Sequence, residues 1–438
     1  MNHSLRKRVL VISYYWPPAG GVAVQRWLKF VKYLRDFGWE PVVYTPENPE
    51  IFYDDHSLVK DIPDGVEVIK RQIWEPYSIY KWITGRKGTK LGLGFANETG
   101  KKGRFNGIMV WLRGNLFIPD ARIFWVNPSV RFLSRYLHQH PVDAIVTNGP
   151  PHSMHLIGLK LKRKYNLPWL ADFRDPWTNI DFYNELKLTR LADRYHHRLE
   201  KKVVNSADAV LVVSYQMKSE FDSLGGRNIY VLTNGYDTDD IPALSPTATA
   251  NHFSICYIGT MNRARNPVVL WQALNRLCSI NDDFASKLKI RLAGQIDSSV
   301  FDAIEAENLG NKFEFLGLLP HGKAMELLGS SQVLLLVVNN TPNAKGIVTG
   351  KFFEYLATGK RILAIGPADG DLAQIISETD SGDVIDYSDA DGAFQVLTNY
   401  FELFNEGNLN PETKGIEKYS RKALTGRLAE ILNQITNG

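Results

Sequence analysis

Residues 8–13, RVLVIS, are a short apolar run that breaks into a loop containing two prolines and two glycines, YYWPPAGG, at residues 14–21. A helical pattern follows from residue 22 to about residue 37, and a second apolar run covers 42–45. A short unbroken apolar run bounded by turn residues reads as a strand buried on both faces, the usual state of a strand in a parallel sheet covered by helices. Strand, loop, helix and strand in that order predict the start of a doubly wound α/β domain. The order restarts at residue 253, with a strand over 253–258, the loop GTMNRARNP at 259–267, and a helix. In such sheets ligands sit beyond the carboxyl ends of the strands, so the loops that follow the runs carry the candidates.

At 438 residues the chain exceeds one ordinary domain. The reading assigns residues 1–237 to a first domain, 238–252 to a linker and 253–415 to a second domain. Residues 416–438 form an amphipathic C-terminal helix. The linker is proposed from its proline, serine and small residues. Within the first domain, about 46–141 is an insertion that periodicity does not resolve. A net charge of +4 is too modest to argue for a nucleic-acid partner. The two cysteines, Cys256 and Cys278, fit neither a disulfide framework nor a zinc spacing, and point to a reducing compartment. The basic start, Arg6 to Arg8, precedes an apolar run too short for a secretion signal, and no run is long enough to span a bilayer.

The densest motif is NTPNAKGIVTGKFFEYLATGKRILAIGP, residues 340–367. Thr349 and Gly350 suit a helix start, Phe352, Phe353, Leu356 and Ala357 an apolar face, and Gly359 a left-handed helix end. A helix start offers unpaired N–H groups and the positive end of a dipole, which together hold a phosphate. Glu354, about one turn in, can accept from two neighbouring hydroxyls such as a ribose presents. On periodicity alone a core helix with solvated Lys351 and Glu354 is the simpler reading.

Other loops carry further candidates, each with a plain structural alternative. Gly20 and Gly21 let backbone approach an anion closely, or form a simple turn, and the absence of GxGxxG spacing argues against a nicotinamide dinucleotide. His152 and His155 follow a strand over 143–147 and are either chemical groups or structural histidines. After a strand at 169–172 come Asp172, Arg174 and Asp175, read either as an acceptor-hydroxyl contact or as an Arg–Asp pair fixing the loop. Arg263 and Arg265 suit bidentate phosphate contacts. Residues 81–113 are basic and aromatic, either a solvated insertion or a surface for anionic lipid headgroups.

These motifs resemble glycosyltransferase family 4, retaining GT-B enzymes that use nucleotide-sugars. The EYLATGKR run is similar to the family's donor-site helix, with Glu354 at the second position of a Glu–seven residues–Glu pattern and Gly346 at the first. YYWPPAGGVAVQR resembles the first glycine-rich loop, which faces the donor diphosphate. PWLADFRDPW resembles a run in the bacterial polysaccharide branch, and TNGYD at 233–237 the domain-junction turn. In the 259–267 loop Thr260 stands where the family has Arg and Arg265 where it has Lys, with Arg263 as a substitute for the former. FLGLLPHGKAMELLGSSQVLLLV resembles the base-binding edge, near Gly317.

The resemblance implies an α/β GT-B fold of two doubly wound Rossmann-like domains with an interdomain cleft. It implies a metal-independent glycosyltransferase with a UDP- or GDP-linked donor, no other cofactor, and a glycan or lipid-linked acceptor in cell-surface polysaccharide synthesis. The expected location is the cytoplasm, at the inner face of the plasma membrane if the basic segment docks there. The implied donor residues are Gly20, Gly21, Arg263, Arg265, Gly317, Thr349, Gly350, Lys351 and Glu354, with His152, Asp172 and Asp175 as catalytic candidates and no metal ligands. A sugar-nucleotide 2-epimerase of the same fold and a non-catalytic nucleotide-sugar or membrane-binding protein are the alternatives.

Overall fold

A computed structural model describes residues 6–51, 53–75, 104–180, 183–240 and 251–437. By contacts the chain divides into two units, Met1–Thr233 with Arg421–Gly438, and Asn234–Ser420. Most of the expected linker, residues 241–250, lies outside the described residues.

In the first unit β1 (Lys7–Ile12), β2 (Trp39–Pro46), β3 (Glu67–Arg71), β4 (Ala144–Gly149), β5 (Trp169–Phe173), β6 (Ala209–Val212) and β7 (Ile229–Val231) form a parallel sheet. Its order is β3-β2-β1-β4-β5-β6-β7. The second unit pairs β8 (Phe253–Ile258), β9 (Leu288–Ala293), β10 (Phe313–Phe315), β11 (Val333–Val337), β12 (Arg361–Ile365) and β13 (Gly382–Ile385) in the order β10-β9-β8-β11-β12-β13. Strand order reverses beside β1 in one sheet and beside β8 in the other, and such reversals open crevices at the strands' carboxyl ends.

Both faces of each sheet are covered, as the unbroken apolar runs require. On β1, Val9 and Val11 join the core that contains Trp27 and Leu28, while Leu10 and Ile12 join the one that contains Trp125 and Ile157. On β11, Val333, Leu335 and Val337 face one core and Leu334 and Leu336 the other. The C-terminal helix Arg421–Asn437 belongs to the first unit, with Leu424, Leu428 and Leu432 in the Val9 core. It comes close to Phe37: a Cβ on Gly426 would sit 3.0 Å from that ring. Among its described residues, the stretch 46–141 that periodicity left open contains the helices Arg104–Leu116 and Ile123–Gln139, the second stacking Trp125 on Tyr44 at 5.3 Å. Among the described residues no helix is long and apolar enough to cross a membrane.

One buried ion pair ties the first unit together. Arg26, on the helix Val22–Leu34, donates from Nε and Nη2 to the two carboxylate oxygens of Asp172 at 2.9 Å each. Trp27 Nε1 donates to the same carboxylate at 2.7 Å, and Arg26 also donates to the carbonyls of Leu232 and Thr233 at 2.9 Å. Both charged side chains are fully buried. The pair clamps a helix, the end of β5 and the chain just past β7. Removing one charge strands the other, a loss of about 3–5 kcal/mol. Asp172→Asn and Arg26→Met should each lower the urea midpoint at pH 7 accordingly; a loss of less than about 1 kcal/mol would mean that the pair behaves as an exposed one.

Candidate functional site

The second unit gathers its charged candidates where β8, β9 and β10 end. β8 runs into Gly259 and β9 into Gly294, with φ of +133° and +117°, a region that L side chains rarely adopt. Space is as restrictive as φ. A Cβ on Gly294 would lie 2.1 Å from the Gly259 carbonyl oxygen, and one on Gly259 would lie 1.8 Å from Lys351 Nζ. Gly294 donates its amide to the Gly317 carbonyl at 2.7 Å. The three strand ends are thus stacked in contact, with the Lys351 ammonium against the first.

Arg265 closes the short turn Arg263–Arg265 and is partly buried. Its Nε donates to Asn339 Oδ1 at 2.6 Å and its Nη1 to the Thr260 carbonyl at 3.0 Å. The Asn339 carbonyl accepts from Tyr387 Oη at 3.0 Å, and the Thr260 carbonyl from Tyr257 Oη at 2.6 Å. These acceptors are neutral, so they aim the guanidinium without neutralising it. Arg263 lies on the exposed side of the same turn, where its charge acts on Asp297.

The helix Gly350–Ala357 buries Phe352, Phe353, Tyr355 and Leu356 and leaves Lys351 and Glu354, one turn apart, partly buried. Tyr355 Oη accepts from the Ile258 amide at 3.3 Å, which ties the helix to the end of β8. Thr349 caps in extended geometry but its side chain makes no capping bond, and its hydroxyl is buried with no hydrogen-bond partner. The first turn contains no acidic residue. Lys351 Nζ lies 5.0 Å from the Tyr257 ring centroid. Burial, and then the charge of Arg265, push the Lys351 ammonium down to about 8, with Glu354 pulling the other way. Of the expected donor residues, Arg265, Gly317, Thr349, Gly350, Lys351 and Glu354 therefore belong to one neighbourhood, built from Arg265, the three glycines and the first turn of this helix.

In the first unit the expectations fare less evenly. The Gly20 amide was expected to face an anion, but it donates to the Tyr53 carbonyl at 2.9 Å. The Tyr53 ring covers Gly20 so closely that a Cβ there would meet it at 2.2 Å. Gly21, with φ +104°, starts the helix Val22–Leu34. Asp172 was a catalytic candidate, but its carboxylate is fully buried and saturated by Arg26 and Trp27, leaving it the role of counter-ion. Asp175 instead pairs with Arg174 at 2.9 Å, the loop-fixing alternative, and keeps substantial exposure.

His152 is buried, stacked on Trp177 with ring centroids 5.0 Å apart, and its Nδ1 has no partner. His155 is fully buried. The Thr147 hydroxyl accepts from Trp169 Nε1 and shares a hydrogen bond with His155 Nδ1, both at 2.9 Å. A Cβ on Gly149 would lie 2.5 Å from His155 Nε2 and 3.0 Å from His152 Nδ1, so the two rings converge on one glycine at the end of β4. Sequence reading missed other polar groups of this unit. Asp120 accepts from the Ser153 amide at 2.9 Å and its hydroxyl at 2.8 Å, capping the helix Ser153–Tyr165 from a distant segment. Tyr14 Oη donates to Glu75 at 2.6 Å, with Arg122 at 3.1 Å from the same carboxylate, at the end of β1.

Burial pushes the His152 imidazole down to about 4 and His155 well below its usual range. Both folded values lie below the unfolded one, so the unfolded chain takes up protons first and stability falls as pH drops from about 6.5 towards 4. NMR titration of the ring resonances should find both imidazoles neutral from pH 8 down to about 5.5. A midpoint near 6.5 for either would contradict the burial described.

Residues 95–240 match the family model of Glycosyltransferase Family 4. No curated protein matches the chain in sequence. Among solved structures, the chain is similar to sucrose-phosphate synthase from Thermosynechococcus elongatus, at 15% identity over 98% of this chain and 99% of that one, with a TM-score of 0.61. It is similar to Anabaena HepE, solved with UDP-glucose, at 14% identity over 98% of each chain and a TM-score of 0.55. A Listeria monocytogenes protein described as a UDP-N-acetylglucosamine 2-epimerase matches at 11% identity, over 97% of this chain and 95% of that one, with a TM-score of 0.53. The chain thus resembles glycosyltransferase family 4, by the match of residues 95–240 and by two Rossmann-like domains of the GT-B fold.

Proposed function

We propose that the chain is a glycosyltransferase that binds a nucleoside-diphosphate sugar in the second unit and passes the sugar to a glycan or lipid-linked acceptor. The observation that carries this reading is the pairing of two cations, Arg265 and Lys351, beside a helix start with no acidic residue in its first turn. Each is a device for holding phosphate. Glu354, one turn further on, suits the two ribose hydroxyls, and the Gly317 backbone suits the base. The family match of residues 95–240 supports the same class.

The proposed reaction is retaining and needs no metal. The bond from the sugar's anomeric carbon to the diphosphate oxygen breaks, and a bond to the acceptor oxygen forms on the same face. The acceptor proton goes to the departing phosphate oxygen. Cations and amides already in place stabilise the charge that develops there. His152 and Asp175, at strand ends of the first unit, are the groups there proposed to meet the acceptor. The neutral His152 ring suits a hydroxyl rather than a phosphate. Cell-surface polysaccharide is the proposed setting. An anionic membrane surface is the proposed neighbour, although most of its basic segment, residues 81–103, lies outside the described residues. Trp111 and Leu116 on the helix Arg104–Leu116, and Leu191 and Tyr195 on Arg190–Ser206, are exposed and suit such a surface.

The GT-B fold is shared by transferases and by a protein described as an epimerase, so fold alone does not choose between them. Incubation with a panel of UDP- and GDP-sugars chooses. Release of free nucleotide, stimulated by acceptor, is expected; an intact donor epimerised without acceptor would favour the alternative, and binding without turnover a non-catalytic role. Loss of a charge-assisted contact is worth about 1.5–3 kcal/mol, so Arg265→Ala should weaken nucleotide binding about 10- to 100-fold. Glu354→Ala should raise the donor KM with little change in kcat. If both variants match the parent, the site lies elsewhere.

A further inference from the structure

We propose that Lys351, rather than Arg263, supplies the second cation of the nucleotide site, and that a nucleoside diphosphate binds there with uptake of a proton by the Lys351 side chain. The inference rests on the function proposed above and assigns a charge that the loop after β8 lacks, since Thr260 stands at the position where the resembling family has an arginine. Sequence spacing favours Arg263 as the replacement, three residues along the same loop. The structure favours a group from another element. Arg263 faces outward near Asp297, whereas Lys351 Nζ rests against Gly259, the residue directly before Thr260.

Three features make this an unfavourable place for a lone ammonium. Helix side chains lean towards the N-terminus, so Lys351, in the first turn, brings its charge to the end where the dipole is already positive. The Arg265 guanidinium adds a second like charge. The notch is tight against the Gly259 backbone and strips water from the ammonium, a cost that the face of the Tyr257 ring, 5.0 Å from Nζ, offsets only in part. The groups around the ammonium are Tyr257 on β8, Arg265 on the following turn, and Glu354 on its own helix. Among the described residues Glu354 is the one acid there, and its pull leaves the ammonium still lowered, to about 8. An anion between Arg265 and the helix start offsets both the dipole and the like charge. Gly259 is required by its φ of +133°, and the end of the lysine lies in the space that a Cβ would take.

The linkage follows from the signs. In the free protein at pH 8 the side chain is about half neutral. A bound diphosphate favours the charged form, so the missing fraction of a proton is taken from solution. The folded value also lies below the unfolded one, so the free protein gains stability as pH rises from about 8 towards 10.5.

The test is calorimetric titration of the full chain with UDP and with GDP at pH 8, where the nucleotide phosphates are already deprotonated, in HEPES and in Tris. The difference in apparent heat between buffers counts protons. Uptake of about half a proton is expected for the parent. Lys351→Arg, charged at every working pH, should bind without uptake. Lys351→Met should bind about tenfold more weakly, also without uptake. It should also melt at a higher temperature than the parent at pH 7, because an uncompensated charge is gone, a readout that needs no ligand. Arg263→Ala should lose less than about a third of the free energy lost by Lys351→Met. Uptake that persists in Lys351→Arg, or an Arg263→Ala loss equal to that of Lys351→Met, overturns the inference and leaves the proposed function standing. A parent that binds neither nucleotide overturns both.

Discussion

A parallel strand covered on both faces can offer a ligand only its ends. That constraint governs both units. Val9, Val11, Leu10 and Ile12 are all fully buried, and so are Val333, Leu334 and Leu335. Polar chemistry is therefore pushed to the carboxyl ends, where Gly259, Gly294, Gly317 and Arg265 gather in one unit and His152, Arg174 and Asp175 in the other. The backbone groups that the ladder leaves unpaired at those ends must also find partners. Gly294 and Gly317 satisfy each other, and the Thr260 carbonyl accepts from both Tyr257 and Arg265.

Two sets of buried or half-buried charges show what separates a structural site from a functional one. Arg26 and Asp172 are fully buried, opposite in sign, and surrounded by matched donors and acceptors. Nothing is left over for a ligand. Lys351 and Arg265 are like in sign, and the acceptors around Arg265 are neutral. The Thr349 hydroxyl nearby in sequence is buried without a partner. A conflict of that kind persists in a fold when something outside the chain resolves it. The charge excess is positive and the helix dipole has the same sign, so the missing component is an anion.

Much of the fold is legible in the sequence because burial on both faces writes itself as an unbroken apolar run. The strand read at 253–258 matches β8 to the residue; those read at 8–13, 143–147 and 169–172 differ by one or two positions at their ends, and the one read at 42–45 begins three residues after β2 does. The helices Arg104–Leu116 and Ile123–Gln139 were not read. The first is weakly patterned, and the second carries Pro128 inside it, which reads as a break. Site groups carried by local spacing were legible: Lys351 and Glu354 fall one turn apart on the helix that starts at Gly350. Groups joined only by tertiary structure were not. Arg26 meets Asp172 across 146 positions, and Asp120 caps Ser153 across 33. The Tyr53 ring over Gly20, which removed an expected anion contact, likewise left no mark in the motif.

The central claim is that the first turn of the helix Gly350–Ala357, with Arg265 and Lys351, holds the diphosphate of a nucleotide. A crystal structure of the full chain grown with UDP or GDP tests it most directly. The account predicts phosphate oxygens at hydrogen-bond distance, about 2.7–3.2 Å, from the Arg265 guanidinium, the Lys351 ammonium and the amides that open the helix, with the ribose beside Glu354. A nucleotide ordered elsewhere, with Arg265 and Lys351 still bare, would contradict it.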